Sequence, residues 1–108
     1  MLTLVLIGTE DCARCATMRR VLEGFVATSP TMREAVSSGR LSVEYLDPYT
    51  DPWSADLVVS MALSALPAIV LLDGATRQPL DFPLVGVVSM ARVLDLIDHH
   101  LPPPLPTW

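Results

Sequence analysis

The chain has 108 residues, of which 51% are apolar, and its 7 arginines stand against 12 acidic residues to give a net charge of −5. This length fits one domain with a buried core, and the apolar content excludes an intrinsically disordered chain. A nucleic-acid binder is also excluded, because such proteins carry a basic face and this chain has no lysine at all.

The first predicted elements are a buried strand and a helix. Residues 3–7 form a short, continuous apolar run that ends at a glycine, which is typical of a strand covered on both faces. Helical spacing of apolar residues follows, and the sequence Thr-Ser-Pro at residues 28–30 is expected to end the helix. The apolar stripe of this helix consists of Met18, Leu22 and Phe25.

The middle of the chain is predicted to hold a helical turn, a strand and a helix. Residues 31–37 can form another helical turn, with Thr31 and Glu34 as a capping box. Asp51 is expected to cap the helix, with Pro52 at its first position. The strand between them alternates apolar and polar residues and is expected to be half-exposed, near a sheet edge. Its apolar positions are Leu41, Val43 and Tyr45.

Two strands and a last helix complete the predicted domain. Residues 68–72 are a second buried apolar run, and residues 82–87 are expected to return beside it as an antiparallel strand, because only a short turn joins the two. Ser89 can cap the last helix, whose final residues His99 and His100 are expected to be solvated. The order β-α-β-α-β-β-α predicts an α/β fold with a four-stranded mixed sheet flanked by helices.

The domain is predicted to span residues 1–101, followed by a proline-rich tail over residues 102–108 in the extended polyproline II conformation. The longest apolar stretch, residues 65–72, is well short of the roughly 20 residues that a membrane-spanning helix needs. The apolar N-terminus lacks the basic region of a signal peptide. We therefore expect a cytoplasmic monomer without a membrane or nucleic-acid partner.

The most informative motif is Cys12-Ala-Arg-Cys15, which follows the first strand and opens the first helix. Free backbone amides at a helix N-terminus act as about half a positive charge and stabilise a thiolate. The thiolate is the nucleophile of thiol–disulfide exchange, and a second thiol one turn later can resolve the mixed disulfide. Cys15 continues the stripe that includes Met18, so it is expected to be buried, whereas Cys12 lies at the helix mouth.

With this motif, the sequence resembles the thioredoxin-like superfamily over roughly residues 2–101. Three segments besides the motif carry the resemblance. Residues 42–47 are similar to the family's strand before a loop, and residues 61–74 are similar to the segment around its cis-proline and the following strand. Residues 85–101 are similar to its last strand and helix. The resemblance implies that Pro67 is cis and lies beside the cysteine pair. It also implies that the backbone of Leu66 pairs with an extended substrate and that Gly86 lies on the same surface.

The function implied is that of a small dithiol–disulfide oxidoreductase without a cofactor, which exchanges disulfides with protein substrates and is recycled by a reductase. Cys12 and Cys15 are the expected catalytic residues. The candidate substrate-binding residues are Leu66, Pro67, Gly86 and Arg14. The alternative function is a redox-inactive thioredoxin-fold module that binds a partner segment while its thiols stay inert.

Several positions depart from the family pattern. Leu6 stands where thioredoxins keep a buried acid, and the glycine pair and acidic neighbour that hold glutathione in glutaredoxins are absent near Gly86, so glutathione is not the expected reductant. Acidic residues beside Cys12 oppose a thiolate there, whereas Arg14 and the helix end favour it, and the balance between them stays open. A metal site within one chain is not expected, although one shared between chains stays open; its ligands would be Cys12, Cys15, His99 and His100.

Overall fold

A four-stranded mixed sheet organises the computed structural model, which describes residues 1–101. The elements in chain order are β1 (Leu2–Ile7), α1 (Ala13–Thr28), α2 (Pro30–Ser37), β2 (Leu41–Leu46), α3 (Pro52–Ser60), β3 (Ala68–Asp73), β4 (Leu84–Val85) and α4 (Met90–His100). The strand order is β2-β1-β3-β4, with β1 and β2 parallel and the other pairs antiparallel. The predicted α/β fold is therefore confirmed, while the predicted polyproline tail lies outside the described residues.

β1 is the central strand of the sheet, and all of its residues are buried. It pairs with β2 on one side and with β3 on the other, so neither edge of the strand meets solvent. Alternate side chains point to opposite faces of a strand. Leu4 and Leu6 accordingly enter one hydrophobic core, and Val5 and Ile7 enter the other. A strand buried on both faces explains the continuous apolar run in the sequence.

The two cores lie on opposite faces of the sheet and differ in size. The larger core receives side chains from α1, α2 and α4, and the smaller core is covered by α3. Fully buried residues of the larger core include Met18, Leu22, Met32, Val93 and Ile97. Within residues 1–101, none of the helices combines the length and the apolar composition that crossing a bilayer requires.

The helix caps of α3 and α4 form where the sequence predicts them. Oδ2 of Asp51 accepts a hydrogen bond from the backbone N–H of Ser54 at 2.8 Å, which satisfies one of the unpaired donors at the start of α3. Oγ of Ser89 accepts the backbone N–H of Arg92 at 3.4 Å at the start of α4. Short polar side chains directly before an apolar stripe are thus reliable start signals in this chain.

The start of α2 differs from the prediction. Oγ of Ser29 accepts the backbone N–H of Met32 at 3.4 Å, and Pro30 is the first helical residue. The capping box predicted for Thr31 and Glu34 is therefore wrong. Proline is well suited to the first helical position because its missing N–H would have no partner there. That preference places the cap on the residue before the proline.

The last strand is shorter than the predicted strand over residues 82–87, because β4 contains only Leu84–Val85. Pro83 cannot donate a ladder hydrogen bond, so pairing cannot extend through it. On the other side, Gly86 has a φ of 87°, in the left-handed region, and this ends the extended backbone. The predicted length is therefore wrong, and Phe82 lies outside the sheet with 86% of its surface exposed.

The end of α4 makes a contact that the sequence did not predict. His99 is exposed, but His100 is partly buried, and its Nε2 lies 3.0 Å from Oδ2 of Asp81. Asp81 belongs to the connection between β3 and β4, so this contact joins that connection to the C-terminus of α4. The expectation of two solvated histidines is wrong for His100, because the connection folds back over the helix end.

The carboxylate of Asp81 is expected to stabilise the fold at neutral pH and to lose that effect in acid. The hydrogen bond with His100 and the backbone N–H of Phe82 hold the pKa of Asp81 below its ordinary value. Because the folded pKa is lower than the unfolded value of about 3.9, the stabilisation is present above that pH and is lost as pH falls through the folded pKa. In thermal unfolding, Asp81→Asn should therefore lose less stability on acidification than the wild type. Asp98→Asn, which removes an exposed carboxylate from α4, is the control, and equal slopes for both variants would contradict the prediction.

Candidate functional site

A disulfide joins Cys12 and Cys15 at the start of α1, with their Cα atoms 5.2 Å apart. Cys12 is the N-cap residue, in an extended conformation outside the helix. Its Sγ accepts a hydrogen bond from the backbone N–H of Cys15 at 3.1 Å. The first N–H groups of a helix have no partner within the helix, so they offer donors and a partial positive charge to this sulfur. These donors favour the thiolate of Cys12 when the disulfide is reduced.

The two cysteines differ in burial. Cys15 is only 5% exposed and lies on the face of α1 that contains Met18, whereas Cys12 is half-buried. Gly8, just after β1, allows the close approach to Cys15: a Cβ added at Gly8 would lie 2.9 Å from Cβ of Cys15 and 3.1 Å from its Sγ. The burial of Cys15 and the greater exposure of Cys12 agree with the helical spacing in the sequence.

Three of the candidate substrate-binding residues lie at the disulfide's end of the sheet. The Leu66–Pro67 peptide bond is cis and directly precedes β3. In the antiparallel pair of β1 and β3, Ile7 lies opposite Ala68, so Pro67 lies at the end of the sheet where β1 leads to the disulfide. The backbone N–H of Gly86 donates to the carbonyl of Pro67 at 2.7 Å. The structure thus brings Leu66, Pro67 and Gly86 to one end of the sheet.

The charged residues next to the disulfide are all exposed. Glu10 and Asp11 lie in the connection between β1 and α1, and Arg14 lies in the first turn of α1. Solvent screens exposed charges, so each of them has only a small effect on the energy of a thiolate nearby. Leu6 of β1 is buried in the larger core. β1 therefore places an apolar side chain, not an acid, at this position.

A cavity of about 270 Å³ lies beside Cys15, between α1 and the C-terminal ends of β1 and β2. Its walls include the charged or polar side chains of Glu10, Arg19, Tyr45 and Asp47. This cavity was not predicted from the sequence. The sequence does contain a signal for one of its walls. Side chains alternate along a strand, so the pattern that places Tyr45 on the α1 face of β2 also places Asp47, two residues later, on that side.

The aromatic wall of the cavity is formed by Tyr45. The guanidinium carbon of Arg19 lies 4.5 Å from the centroid of the Tyr45 ring, and Nε of Arg19 lies 2.9 Å from Oε1 of Glu23. Burial raises the pKa of Tyr45 above its ordinary value, and the negative charge of Glu23 adds to this, while Arg19 acts in the opposite direction. The phenol therefore keeps its proton at neutral pH.

The described residues provide few neighbouring side chains that could act as ligands of a metal ion. Within residues 1–101, no group of three or more histidine, cysteine, aspartate and glutamate side chains is arranged to bind one. His99 and His100 lie at the end of α4, which has 11 residues and starts at Met90. At 1.5 Å per residue, the helix carries the histidines about 15 Å from its start, which lies just after Gly86.

Comparisons with known proteins identify the fold. No family model matches the sequence, and no curated protein matches it. Among solved structures, a mutant thioredoxin from Halobacterium salinarum NRC-1 is similar to the chain with a TM-score of 0.66 and 17% identity, covering 97% of this chain and 78% of that one. Thioredoxin f2 of Chlamydomonas reinhardtii gives 0.64 and 17%, over 94% and 81%. Thioredoxin of Fasciola hepatica gives 0.65 and 14%, over 92% and 80%. The chain therefore has a thioredoxin-like fold.

Proposed function

We propose that the protein is a small dithiol–disulfide oxidoreductase that exchanges disulfides with protein substrates. The observation that carries this proposal is the pairing of a half-exposed Cys12, which caps α1, with a buried Cys15 bonded to it. The cap supplies the stabilised thiolate, and the bonded partner supplies the second thiol that exchange requires. The thioredoxin-like fold supports the same function for the cysteine pair.

The reaction transfers two electrons from the reduced protein to a substrate disulfide. The Cys12 thiolate attacks one substrate sulfur; the substrate S–S bond breaks, and the other substrate sulfur leaves as a thiolate that takes a proton from solvent. Cys15 then loses its proton and attacks Sγ of Cys12. The Cys12–Cys15 bond forms, the mixed disulfide breaks, and the second substrate thiol is released. A recycling reductase returns two electrons to the protein, which suits a cytoplasmic setting where thiols are kept reduced.

The substrate segment is proposed to lie extended along Leu66, Pro67 and Gly86, with the protein acting as a monomer. Among residues 1–101, the backbone N–H and C=O of Leu66 make no hydrogen bond, and these groups are proposed to pair with the substrate backbone. Val85 and Val87, on either side of Gly86, are exposed and offer apolar contacts to substrate side chains. Arg14 is proposed to contact acidic groups of the substrate from the first turn of α1.

The test of this function is the alkylation rate of the reduced protein as a function of pH. We expect Cys12 to react with iodoacetamide at pH values well below about 8.5, where an ordinary thiol is protonated. Peptide mass spectrometry should locate the label on Cys12 and find Cys15 protected by its burial. The variant Cys12→Ser is the control and should lose the fast reaction.

A different outcome would favour the alternative function. If Cys12 reacts only near the ordinary thiol range, and the reduced protein also fails to reduce a reporter protein disulfide such as insulin, the dithiol is inert. The molecule would then be a thioredoxin-fold interaction module, whose partner-binding surface would include Leu66, Pro67 and Gly86.

A further inference from the structure

We propose that Asp47 accepts the proton that Cys15 loses when it resolves the mixed disulfide, through water in the cavity beside Cys15. This inference rests on the proposed function and assigns a residue to one of its steps. It concerns the second cysteine alone, since Cys12 is served by the start of α1. Neither the cavity nor a role for Asp47 was predicted from the sequence.

The need for a proton acceptor follows from the surroundings of Cys15. Its side chain is only 5% exposed, and the buried Leu6 lines the same cavity wall as Cys15. A buried thiol keeps its proton more firmly than an exposed thiol, yet only the thiolate attacks a disulfide. Resolution at neutral pH therefore requires a base that can be reached from the buried sulfur.

The cavity offers that base a route to Cys15. Its volume of about 270 Å³ exceeds the roughly 30 Å³ that one water molecule occupies in the liquid, so it has room for several. Polar walls provide the hydrogen-bond partners that such water needs. A proton can thus move from the sulfur to a wall residue without direct contact between the two side chains.

The titratable side chains of the cavity walls, apart from Cys15 itself, are Glu10, Arg19, Tyr45 and Asp47. Arg19 cannot accept a proton, because a guanidinium stays protonated in proteins. Tyr45 already holds its proton at neutral pH, since burial raises its pKa. The two carboxylates, Glu10 and Asp47, remain. The elements around the cavity carry further charged groups at Asp11, Arg14, Arg20, Glu23, Glu44 and Asp51; among these, Glu23 pairs with Arg19, Glu44 pairs with Arg77, and Asp51 caps α3.

The backbone favours Asp47 over Glu10. The carbonyl of Leu46, the residue before Asp47, accepts the N–H of Gly8 at 3.0 Å, and Gly8 packs directly against Cys15. Asp47 is half-buried, and its Oδ1 accepts the backbone N–H of Tyr49 at 2.8 Å, which orients the carboxylate. Glu10 is exposed in a connection between elements. Asp47, which directly follows β2 and accepts the Tyr49 N–H, is therefore the carboxylate with the more fixed position.

Resolution by Cys15 begins with proton transfer. The Cys15 S–H bond breaks, and its proton passes through cavity water to the Asp47 carboxylate. The Cys15 thiolate attacks Sγ of Cys12, the Cys12–Cys15 bond forms, and the substrate sulfur leaves with the electron pair of the mixed disulfide. Asp47 then returns its proton to solvent. When a reductase opens the Cys12–Cys15 bond, the same route supplies a proton to Cys15.

The experiment separates the two chemical steps with a chromogenic aromatic disulfide, the dithiobis(nitrobenzoate) anion, mixed rapidly with the reduced protein. Attack by Cys12 releases a first nitrothiobenzoate, and resolution by Cys15 releases a second. In Asp47→Asn we expect an unchanged first phase and a second phase slowed by about 10²-fold or more at neutral pH, the usual effect of losing a general base. The slowed phase should recover about tenfold per pH unit, as hydroxide replaces the lost base.

The controls distinguish proton transfer from damage to the fold. Asparagine keeps an oxygen for the Tyr49 N–H, so the turn should survive. Asp47→Glu restores a carboxylate and should recover part of the second phase. Asp56→Asn, which removes an exposed carboxylate on α3, should leave both phases unchanged. A second phase that stays slow in Asp47→Glu and shows no pH dependence would overturn the proposal.

The remaining outcomes separate this inference from the proposed function. If the wild type shows no first phase, the proposed function itself fails. If both phases are normal in the wild type and in Asp47→Asn, the function stands and the role of Asp47 is refuted. If Glu10→Gln alone slows the second phase, the assignment to Asp47 is wrong and the base is Glu10.

Discussion

Replacing Cys15 with serine is expected to trap the protein in covalent complexes with its substrates, whereas Cys12→Ser should abolish exchange altogether. In the structure, Cys12 is the more exposed sulfur and caps α1, so it is the one that a substrate can reach. Without Cys15, nothing in the chain resolves the mixed disulfide, because the sequence contains only two cysteines. Non-reducing electrophoresis after incubation with a protein disulfide should therefore show a one-to-one adduct for Cys15→Ser.

The double variant, with serine at both positions, is the control for this trapping experiment. It should form no adduct, and reductant should release the substrate from the Cys15→Ser complex. Peptide mapping should place the bond on Cys12. Adducts that form only with Cys12→Ser would reverse the roles of the two cysteines, and a core thiol would then have to become exposed during the reaction.

Replacing Gly8 with alanine is expected to destabilise the protein by about 1–3 kcal/mol, the usual cost of overpacking a core. The added Cβ would lie 2.9 Å from Cβ of Cys15 and 3.1 Å from its Sγ, which is closer than carbon and sulfur atoms approach without a shift. Neither residue 8 nor Cys15 can move easily, since Cys15 is held by α1 and the backbone N–H of residue 8 is hydrogen-bonded to the carbonyl of Leu46. Urea unfolding of the oxidised protein measures the change.

Gly24 provides the matched control for this substitution. It lies in α1, it is exposed, and a Cβ added there meets nothing within 4 Å. Gly24→Ala should therefore stabilise the protein by about 0.5–1 kcal/mol, because alanine favours a helix over glycine. Opposite signs for the two glycine substitutions would support the close approach at Cys15. A stabilising effect of Gly8→Ala would contradict it.

Local signals in the sequence were sufficient for much of the fold. Asp51 before Pro52, and Ser89 before an apolar stripe, start helices through contacts within three residues, so they can be recognised without tertiary structure. The central position of β1 is equally readable, because only a strand covered on both faces is apolar at consecutive positions. The unequal burial of Cys12 and Cys15 follows from their spacing on one helix.

Features that depend on distant segments escaped prediction. The cavity forms where Asp47 and Arg19 come together from β2 and α1, and no local pattern contains both residues. The contact of His100 with Asp81 depends on how the connection after β3 folds back. The short length of β4 has a local cause in Pro83, but the apolar residues around this proline favoured the prediction of a longer strand.

The sulfur atom of Cys12 caps α1 and is also the atom proposed to exchange disulfides, so the chemical state of Cys12 and the stability of the first helical turn are thermodynamically linked. An N-cap contributes about 0.5–2 kcal/mol to a helix, and an ionised acceptor forms stronger hydrogen bonds than a neutral one. The thiolate therefore stabilises the first turn more than the disulfide sulfur does. Linkage is reciprocal, so a substitution that stabilises this turn more in the thiolate form than in the disulfide form shifts the redox equilibrium towards the reduced protein. Substitutions in the first turn of α1 can thus adjust the electron affinity of the protein with both cysteines left in place.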